Sequence, residues 1–392
     1  MFKKIIKLNP FIQLLLLLLI FLTIILIDHI RPKLEIPNKM VVNMSDKYIE
    51  PSVKARFLNH DLNDLVIKKG NVNLKSAGTY KIKYEVSYLK RKAKKTLTVI
   101  VKDDIKPVIT LTGDEITYLN IDDEYNEQGY RAIDNNDGDI TDKVKIKGKV
   151  NTKKAGTYKL EYEVSDDEKN KATSTRIIRV INKQPNKTIY LTFDDGPSPI
   201  TTKILDILKK ENIKATFFVV KKTSEFDDTI RRINDEGHTI ALHSGTHIYD
   251  YIYSSDENYF NDLTDVYNYV YNLTNVKANI IRFPGGSSNT VSKFNPQIMT
   301  RLTKEVRKRG YEYFDWNIDS GDTGRIGSDA IVQNVTSNLG DYHTYVVLMH
   351  DYGLNEQTAL ALEKIIEYGK NNNYQFDKIS LSTPVVHHGI NN

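Results

Sequence analysis

Cysteine is absent from all 392 residues. Without a thiol the chain can form no disulfide and no thiolate metal site, so any metal must rest on histidine and carboxylate ligands. The absence leaves the redox compartment open, since an exported chain can do without cysteine. Tryptophan is nearly absent, with Trp316 the single one. A strong excess of one charge is also missing. The 55 Lys and Arg against 50 Asp and Glu leave a formal +5, which does not argue for nucleic acid. Long apolar runs are missing with one exception. Leu8 to Ile27 carry no charge, and Phe11 to Ile27 are nearly all Leu, Ile and Phe. This is close to the roughly 20 apolar residues needed to cross a bilayer core. Lys3, Lys4 and Lys7 precede it, which places the N-terminus in the cytoplasm and the rest outside. A cleaved signal peptide is the alternative, with an apolar stretch of roughly 7–15 residues ending in a small-residue site. Asp28-His29-Ile30-Arg31-Pro32 follows here instead. The expectation is an uncleaved transmembrane anchor over residues 1–30 and a single-pass protein of the cell membrane.

At this length two or three domains are expected. One pattern occurs twice: Ala77-Gly78-Thr79-Tyr80-Lys81-Ile82-Lys83-Tyr84-Glu85-Val86-Ser87 returns as Ala155-Gly156-Thr157-Tyr158-Lys159-Leu160-Glu161-Tyr162-Glu163-Val164-Ser165. The separation is that of small domains rather than solenoid units. Tyr, Ile or Leu, Tyr and Val alternate with Lys and Glu, the period-2 signature of a half-buried strand. Short strands between turn signals predict β-sandwiches over 33–103 and 104–182. The basic run Lys90 to Lys95 reads as a solvated strand face. The acidic loop Asp134-Asn135-Asn136-Asp137-Gly138-Asp139 has something of a calcium loop's spacing but lacks that motif's distal Glu, so it reads as an ordinary polar loop. Asn182 to Asn186 is a polar linker.

From residue 187 to 392 the texture changes to strands alternating with helices, which predicts a parallel sheet whose site lies at the strands' C-terminal ends. Five of those ends carry ionisable residues. Thr188-Ile189-Tyr190-Leu191 runs into Thr192-Phe193-Asp194-Asp195-Gly196-Pro197. Asp-Asp-Gly-Pro alone is ordinary turn chemistry, but adjacent carboxylates at a strand end can hold different jobs. His243-Ser244-Gly245-Thr246-His247 follows a second strand. An i, i+4 pair on a helical turn would put both imidazoles on one side. With a carboxylate they make a set that suits a catalytic zinc-like ion. Arg282-Phe283-Pro284-Gly285-Gly286 ends a third strand, and Arg282 could keep a nearby carboxylate ionised. Trp316-Asn317-Ile318-Asp319-Ser320-Gly321-Asp322 ends a fourth, expected over Tyr311 to Ile318. Leu348-Met349-His350-Asp351 ends a fifth, where His350 could serve as a general acid.

This ordered set of motifs closely resembles the polysaccharide deacetylases with the NodB homology domain, the carbohydrate esterases of family four. The two repeats resemble bacterial surface immunoglobulin-like modules, the second copy more than the first. The resemblance implies a distorted (β/α) barrel and metal-dependent removal of acetyl groups from N-acetylglucosamine polymers. It implies a divalent metal, most simply Zn2+, on Asp195, His243 and His247. Asp194 would be the base, held by Arg282, and His350 the acid, tuned by Asp322. Leu348 would line the acetyl pocket, and the backbone N–H of Gly285, after Pro284, would help hold the oxyanion. The sequence departs from the family at Thr323, where a tryptophan is common, and at Gly285, where a larger residue is common. Both positions bear on the groove wall, and Trp316 is expected to replace part of the missing ring.

The expected substrate is N-acetylglucosamine in the cell's own peptidoglycan, with lysozyme resistance as the outcome and the Ig-like modules as spacers. Rival substrates are N-acetylmuramic acid, an N-acetylglucosamine exopolysaccharide and chitin oligomers. A rival of another class is a non-catalytic surface scaffold or adhesin, which should have lost at least one of the motif residues. None is lost. His387 and His388 receive no role.

Overall fold

The computed structural model describes residues 9–183, 187–324, 326–340, 344–353 and 356–392. Lys3, Lys4, Lys7 and Leu8 of the expected anchor, and Gln184 to Asn186 of the expected linker, lie outside them. Pro10–His29 form a helix, and the apolar side chains from Phe11 to Leu22 are exposed. Among the described residues, no helix is long and apolar enough to cross a membrane. The transmembrane anchor expected from sequence is therefore not supported by the structure.

The chain forms two compact units. The first runs to Gly113 and takes in Gln128–Lys147 and Glu161–Ser174. Within it the first repeat strand, Gly78–Tyr88, pairs antiparallel with Arg91–Lys102. Val66–Lys69 flanks that pair on one side and Lys39–Asn43 on the other. A separate three-stranded sheet holds Lys33–Glu35, Lys54–Phe57 and His60–Asp61. The period-2 pattern turns Ile82, Tyr84 and Val86 inward, against Leu97, Val99 and Val101. Lys92 and Lys94 stand on the outer face, each 3.4 Å from Glu85. The second repeat has the same arrangement, with a four-stranded sheet of Lys145–Lys147, Gly156–Ser165, Lys171–Ile181 and Ile116–Asn120 and a three-stranded one of Gly138–Asp139, Tyr130–Asp134 and Val108–Leu111.

The second unit comprises Asp114–Glu127, Gly148–Leu160 and Thr175–Asn392. Its centre is a sheet of β1 (Thr188–Asp194), β2 (Thr216–Val220), β3 (Thr239–Ser244), β4 (Ile280–Ile281), β5 (Glu312–Tyr313), β6 (Ile318–Asp319), β7 (Thr344–His350) and β8 (Gln375–Phe376). The order is β5-β4-β3-β2-β1-β7-β6, with β8 beside β1. Every one of these pairings is parallel. β1 and β2 are buried along their whole length, as parallel strands covered on both faces must be. Helices such as Pro199–Glu211 and Gln357–Asn371 bury Ile204, Leu205, Leu208, Leu362 and Ile366 in the same core as the sheet.

The expected strand over Tyr311 to Ile318 is broken into β5 and β6, which lie at opposite edges. Only Phe314 to Asn317 join them, so at the reach of an extended chain the edges are at most about 18 Å apart. The sheet curls into a half-barrel whose gap this segment crosses. The break has a cause. The carbonyls of Phe314 and Asp315 accept from the Arg282 guanidinium at 2.9 Å each and not from a neighbouring strand.

In the same unit Arg179, 1% exposed, places Nε 2.7 Å from Glu312 Oε2. Its Nη2 donates to the Tyr311 carbonyl at 2.8 Å. Tyr118 Oη donates to the same Glu312 oxygen at 2.9 Å. Burial pushes the Glu312 carboxyl up, but His387, Arg179 and Tyr118 outweigh it and hold it low. The last strand of the second repeat thus packs with the parallel sheet.

Candidate active site

β1 ends at Asp194, and Asp195 takes φ +74°, a left-handed conformation that turns its side chain away from its neighbour's line. Asp194 accepts from Arg282 Nη1 at 2.8 Å. Arg282 is fully buried and has no freedom to move: Nη1 also donates to Thr192 Oγ1 at 2.8 Å, and the guanidinium lies 4.0 Å from the Phe218 ring centroid. The buried guanidinium thus fixes the position of the Asp194 carboxyl at the strand end.

The pairing of β3 with β2 jumps from Val219↔Leu242 to Val220↔Ser244, so His243 occupies a bulge. Bulges of this kind re-aim a side chain next to an active site. His243 Nδ1 lies 2.8 Å from the Arg282 carbonyl, an acceptor to which Nδ1–H donates, and this leaves the Nε2 lone pair free. His247 is not on a helical turn, as the i, i+4 spacing suggested. It sits in a loop at φ +56°. The loop is wound around Asp262, on helix Asp256–Thr274. One Asp262 oxygen accepts from Ser244 Oγ and Gly245 N at 2.6 and 2.7 Å, the other from Thr246 N and Oγ1 at 2.8 and 2.7 Å. The same tight loop bonds His247 N to Ser244 Oγ at 2.8 Å and returns the imidazole to the strand end.

The Nε2 atoms of His243 and His247 lie 3.3 and 3.1 Å from Asp195 Oδ1. One donor atom from each of the three residues falls within 4.8 Å of the others. Asp195 Oδ1 is buried with no hydrogen-bond partner. An orphaned carboxylate oxygen facing two imidazole nitrogens is what a divalent ion of the zinc type takes, and three protein ligands leave coordination positions open. The residues fit the metal. Burial pushes the Asp195 carboxyl up, but the two histidines beside it outweigh that and hold it well below the usual range. Burial lowers His247, and Asp195 outweighs that and raises it.

On β7, His350 is the cross-strand partner of Asp194. Its Nδ1 lies 2.8 Å from Asp322 Oδ1, and its backbone N–H and Thr358 Oγ1 donate to Asp322 Oδ2 at 2.7 and 2.8 Å. Burial works against the imidazolium, but Asp322, followed by the charge of Asp194, raises His350 to about 9. Leu348 is buried two residues earlier on the same strand. The Pro284 carbonyl accepts from Tyr253 Oη at 2.7 Å. Gly285 and Gly286 take φ +79° and +80°, and a Cβ on Gly286 would come within 2.9 Å of the Trp316 ring. Trp316 is half-buried, with its carbonyl 2.6 Å from His388 Nε2. The structure therefore gathers Asp194, Asp195, His243, His247, Arg282, His350 and Asp322 at adjoining strand ends.

Sequence reasoning missed two supports. Asp262 is one. The other is Asp351, which accepts from Gly196 N at 2.9 Å and Thr201 Oγ1 at 2.5 Å. Burial, with the charges of Asp195 and Asp194, raises its carboxyl to about 7. A Cβ on Gly196 would lie 2.1 Å from Asp351 Oδ2, so the glycine of the first motif exists to admit this carboxyl. The one available signal was an Asp directly after the His of the fifth motif.

Comparison with known proteins agrees with this geometry. The polysaccharide deacetylase model matches residues 181–308, and the model for the Ig-like domain of bacterial surface proteins matches 32–101 and 109–180. The putative polysaccharide deacetylase YheN of Bacillus subtilis is 32% identical over 208 residues, 52% of this chain and 70% of that protein. A peptidoglycan-N-acetylglucosamine deacetylase of Bacillus cereus is 32% identical over 236 residues, 58% of this chain and 81% of that one. The catalytic domain of a peptidoglycan N-acetylglucosamine deacetylase from Eubacterium rectale is 44% identical with TM-score 0.52, covering 54% of this chain and 97% of that structure. The chain belongs to the polysaccharide deacetylase family, carbohydrate esterases of family four that hydrolyse amide bonds, and carries two bacterial-surface Ig-like domains ahead of the catalytic one.

Proposed function

We propose that this protein removes acetyl groups from N-acetylglucosamine residues of peptidoglycan. One observation carries the reading: Asp194, locked to Arg282, and His350, locked to Asp322, are cross-strand neighbours beside the Asp195–His243–His247 cluster. The substrate follows from what the relatives in Bacillus cereus and Eubacterium rectale are named for.

An amide is a poor electrophile and neutral water a poor nucleophile. A zinc-type ion held by Asp195, His243 and His247 supplies Lewis acidity at this point when bound. The chain's own groups do the rest. Asp194, held in place by Arg282, accepts the proton of the attacking water. The Gly285 N–H helps hold the oxygen on which negative charge develops. The amine leaves only when protonated, and His350, raised to about 9, carries that proton at neutral pH. Asp322 accepts the Nδ1–H, which aims the opposite ring nitrogen at the substrate. Leu348 offers an apolar wall to the acetyl methyl. The products are acetate and a free glucosamine amine.

Each new amine adds positive charge to the wall and removes a group that lysozyme-type hydrolases recognise, so lysozyme resistance is the proposed benefit. The uncharged run from Leu8 to Ile27 supports a location at the membrane with the catalytic unit outside; this part rests on the sequence. Fractionation of cells into membrane and soluble protein tests it, and recovery in the soluble fraction alone rejects it. For the substrate, muropeptides from a deletion strain are read by mass spectrometry. Increased glucosamine acetylation is expected, and unchanged acetylation rejects the peptidoglycan reading.

A further inference from the structure

Three aspartates far apart in sequence meet in the first compact unit, none of them among the deacetylase residues. Asp103 follows strand Arg91–Lys102, Asp134 ends strand Tyr130–Asp134, and Asp166 follows strand Gly156–Ser165. They are 6%, 3% and 5% exposed. One carboxylate oxygen from each falls within 4.8 Å of the others. In each residue one oxygen is committed to shaping a turn. Asp103 Oδ1 accepts from Ile105 N at 3.0 Å, and Asp134 Oδ1 from Asn136 N and Asp137 N at 2.8 and 2.9 Å. Asp166 Oδ1 accepts from Asn170 N at 2.7 Å, and its Oδ2 from Asn170 Nδ2 at 2.7 Å. The second oxygens of Asp103 and Asp134 are buried with no partner.

Two orphaned, buried carboxylate oxygens facing a third carboxylate demand a countercharge. Among the described residues, no Lys or Arg forms an ion pair with any of the three. Like charges this close, taken out of water, repel strongly. A cation at their centre resolves both problems. The donors are all oxygen, with no imidazole and no thiol, which selects a hard ion and excludes the zinc type. Calcium accepts flexible oxygen sets and completes its shell with water, whereas magnesium demands near-ideal octahedral geometry.

We propose that Asp103, Asp134 and Asp166 form a calcium site that fastens the Asp103–Pro107 segment to two loops of the second Ig-like module. The acidic loop at 134–139 lacks a calcium loop's distal Glu because its partner carboxylates arrive from other turns. Asn170 reinforces the junction by donating Nδ2 to the Asp103 carbonyl at 3.2 Å. With the ion bound, the segment after the first module becomes a fixed strut; without it, three repelling carboxylates loosen the same turn. The site would let external calcium set how stiffly the chain is held along this stretch.

The test uses the full-length protein, stripped with EDTA, reloaded with one equivalent of zinc and titrated calorimetrically with calcium. One calcium per chain is expected, with a Kd on the order of 10⁻⁴–10⁻³ M as in other extracellular modules. Asp134→Asn and Asp166→Asn should each weaken binding by about tenfold or more while acetate release from a soluble N-acetylglucosamine oligomer stays unchanged. Asp139→Asn, which removes an exposed acid of the same loop, should bind as the parent does. A second readout needs no variant: calcium should slow proteolytic cleavage within 103–107 of the parent protein by about tenfold. The proposal is overturned if the parent takes up no calcium by 10⁻² M (about ten times the weakest expected Kd), if cleavage is unaffected, or if Asp139→Asn weakens binding as much as Asp134→Asn.

Discussion

Replacing Asp322 by asparagine should move the basic limb of the activity profile. In the parent, Asp322 Oδ1 lies 2.8 Å from His350 Nδ1 and is the foremost cause of the imidazole's rise to about 9. Asparagine keeps the shape and, with its oxygen toward the ring, can still accept the Nδ1–H. It loses the charge. With a pKa of about 9 the ring is roughly 90% protonated at pH 8; at an ordinary value of about 6.5 it is roughly 3% protonated, a fall of about 30-fold. The charge of Asp194 also contributes and remains, so the basic limb of kcat/KM should fall by about one to 2.5 units rather than the whole way. The amide NH2 then faces the His350 N–H that formerly donated to Oδ2 at 2.7 Å, which costs about 1–3 kcal/mol of stability. The assay is acetate release from an N-acetylglucosamine oligomer between pH 5 and 10. A basic limb that does not move refutes the acid role of His350. A drop of equal size at every pH would mean the ring has been displaced, not deprotonated.

Chelation should abolish acetate release and zinc should restore it; His243→Ala should lose stoichiometric zinc by elemental analysis, and activity that survives a chelator would remove the metal from the chemistry. Asp262→Asn should weaken zinc binding by about 10–100-fold, as loss of a ligand's hydrogen-bonded support does elsewhere, read by competition with a zinc chelator. Gly196→Ala drives a Cβ to 2.1 Å from Asp351 Oδ2; a loss of about 1–3 kcal/mol in denaturant unfolding and a lower kcat are expected. Arg179→Met strands a buried Glu312 carboxylate and should cost about 3–5 kcal/mol, seen as a lower Tm with the deacetylase profile unshifted in pH.

Much of the second unit was legible because its information is local. Apolar β-branched runs closed by Gly and Pro marked where strands stop, and ionisable residues at those stops marked the site. The His pair was found by spacing but assigned the wrong backbone. Its geometry depends on Asp262, an acid on a helix of the right amphipathic pattern, and spacing along the chain carries no trace of that contact. The strand over Tyr311 to Ile318 failed for a similar reason: its alternation is real, but the buried Arg282, more than thirty positions earlier in sequence, takes the carbonyls that would have continued the ladder. The three-aspartate cluster was visible only as one of its loops, since Asp103 and Asp166 sit in turns that look unremarkable singly.

Arg179 and Glu312 separate two kinds of boundary in this chain. The seam at which one inherited cassette gives way to the next falls near residue 181, yet a buried ion pair stitches across it. A truncation starting at Lys187 therefore strips the guanidinium and the Tyr118 hydroxyl from an acid left with His387 as its remaining neighbour. For the same reason, grafting this deacetylase behind a different module should cost stability unless the newcomer brings a donor or cation to face Glu312.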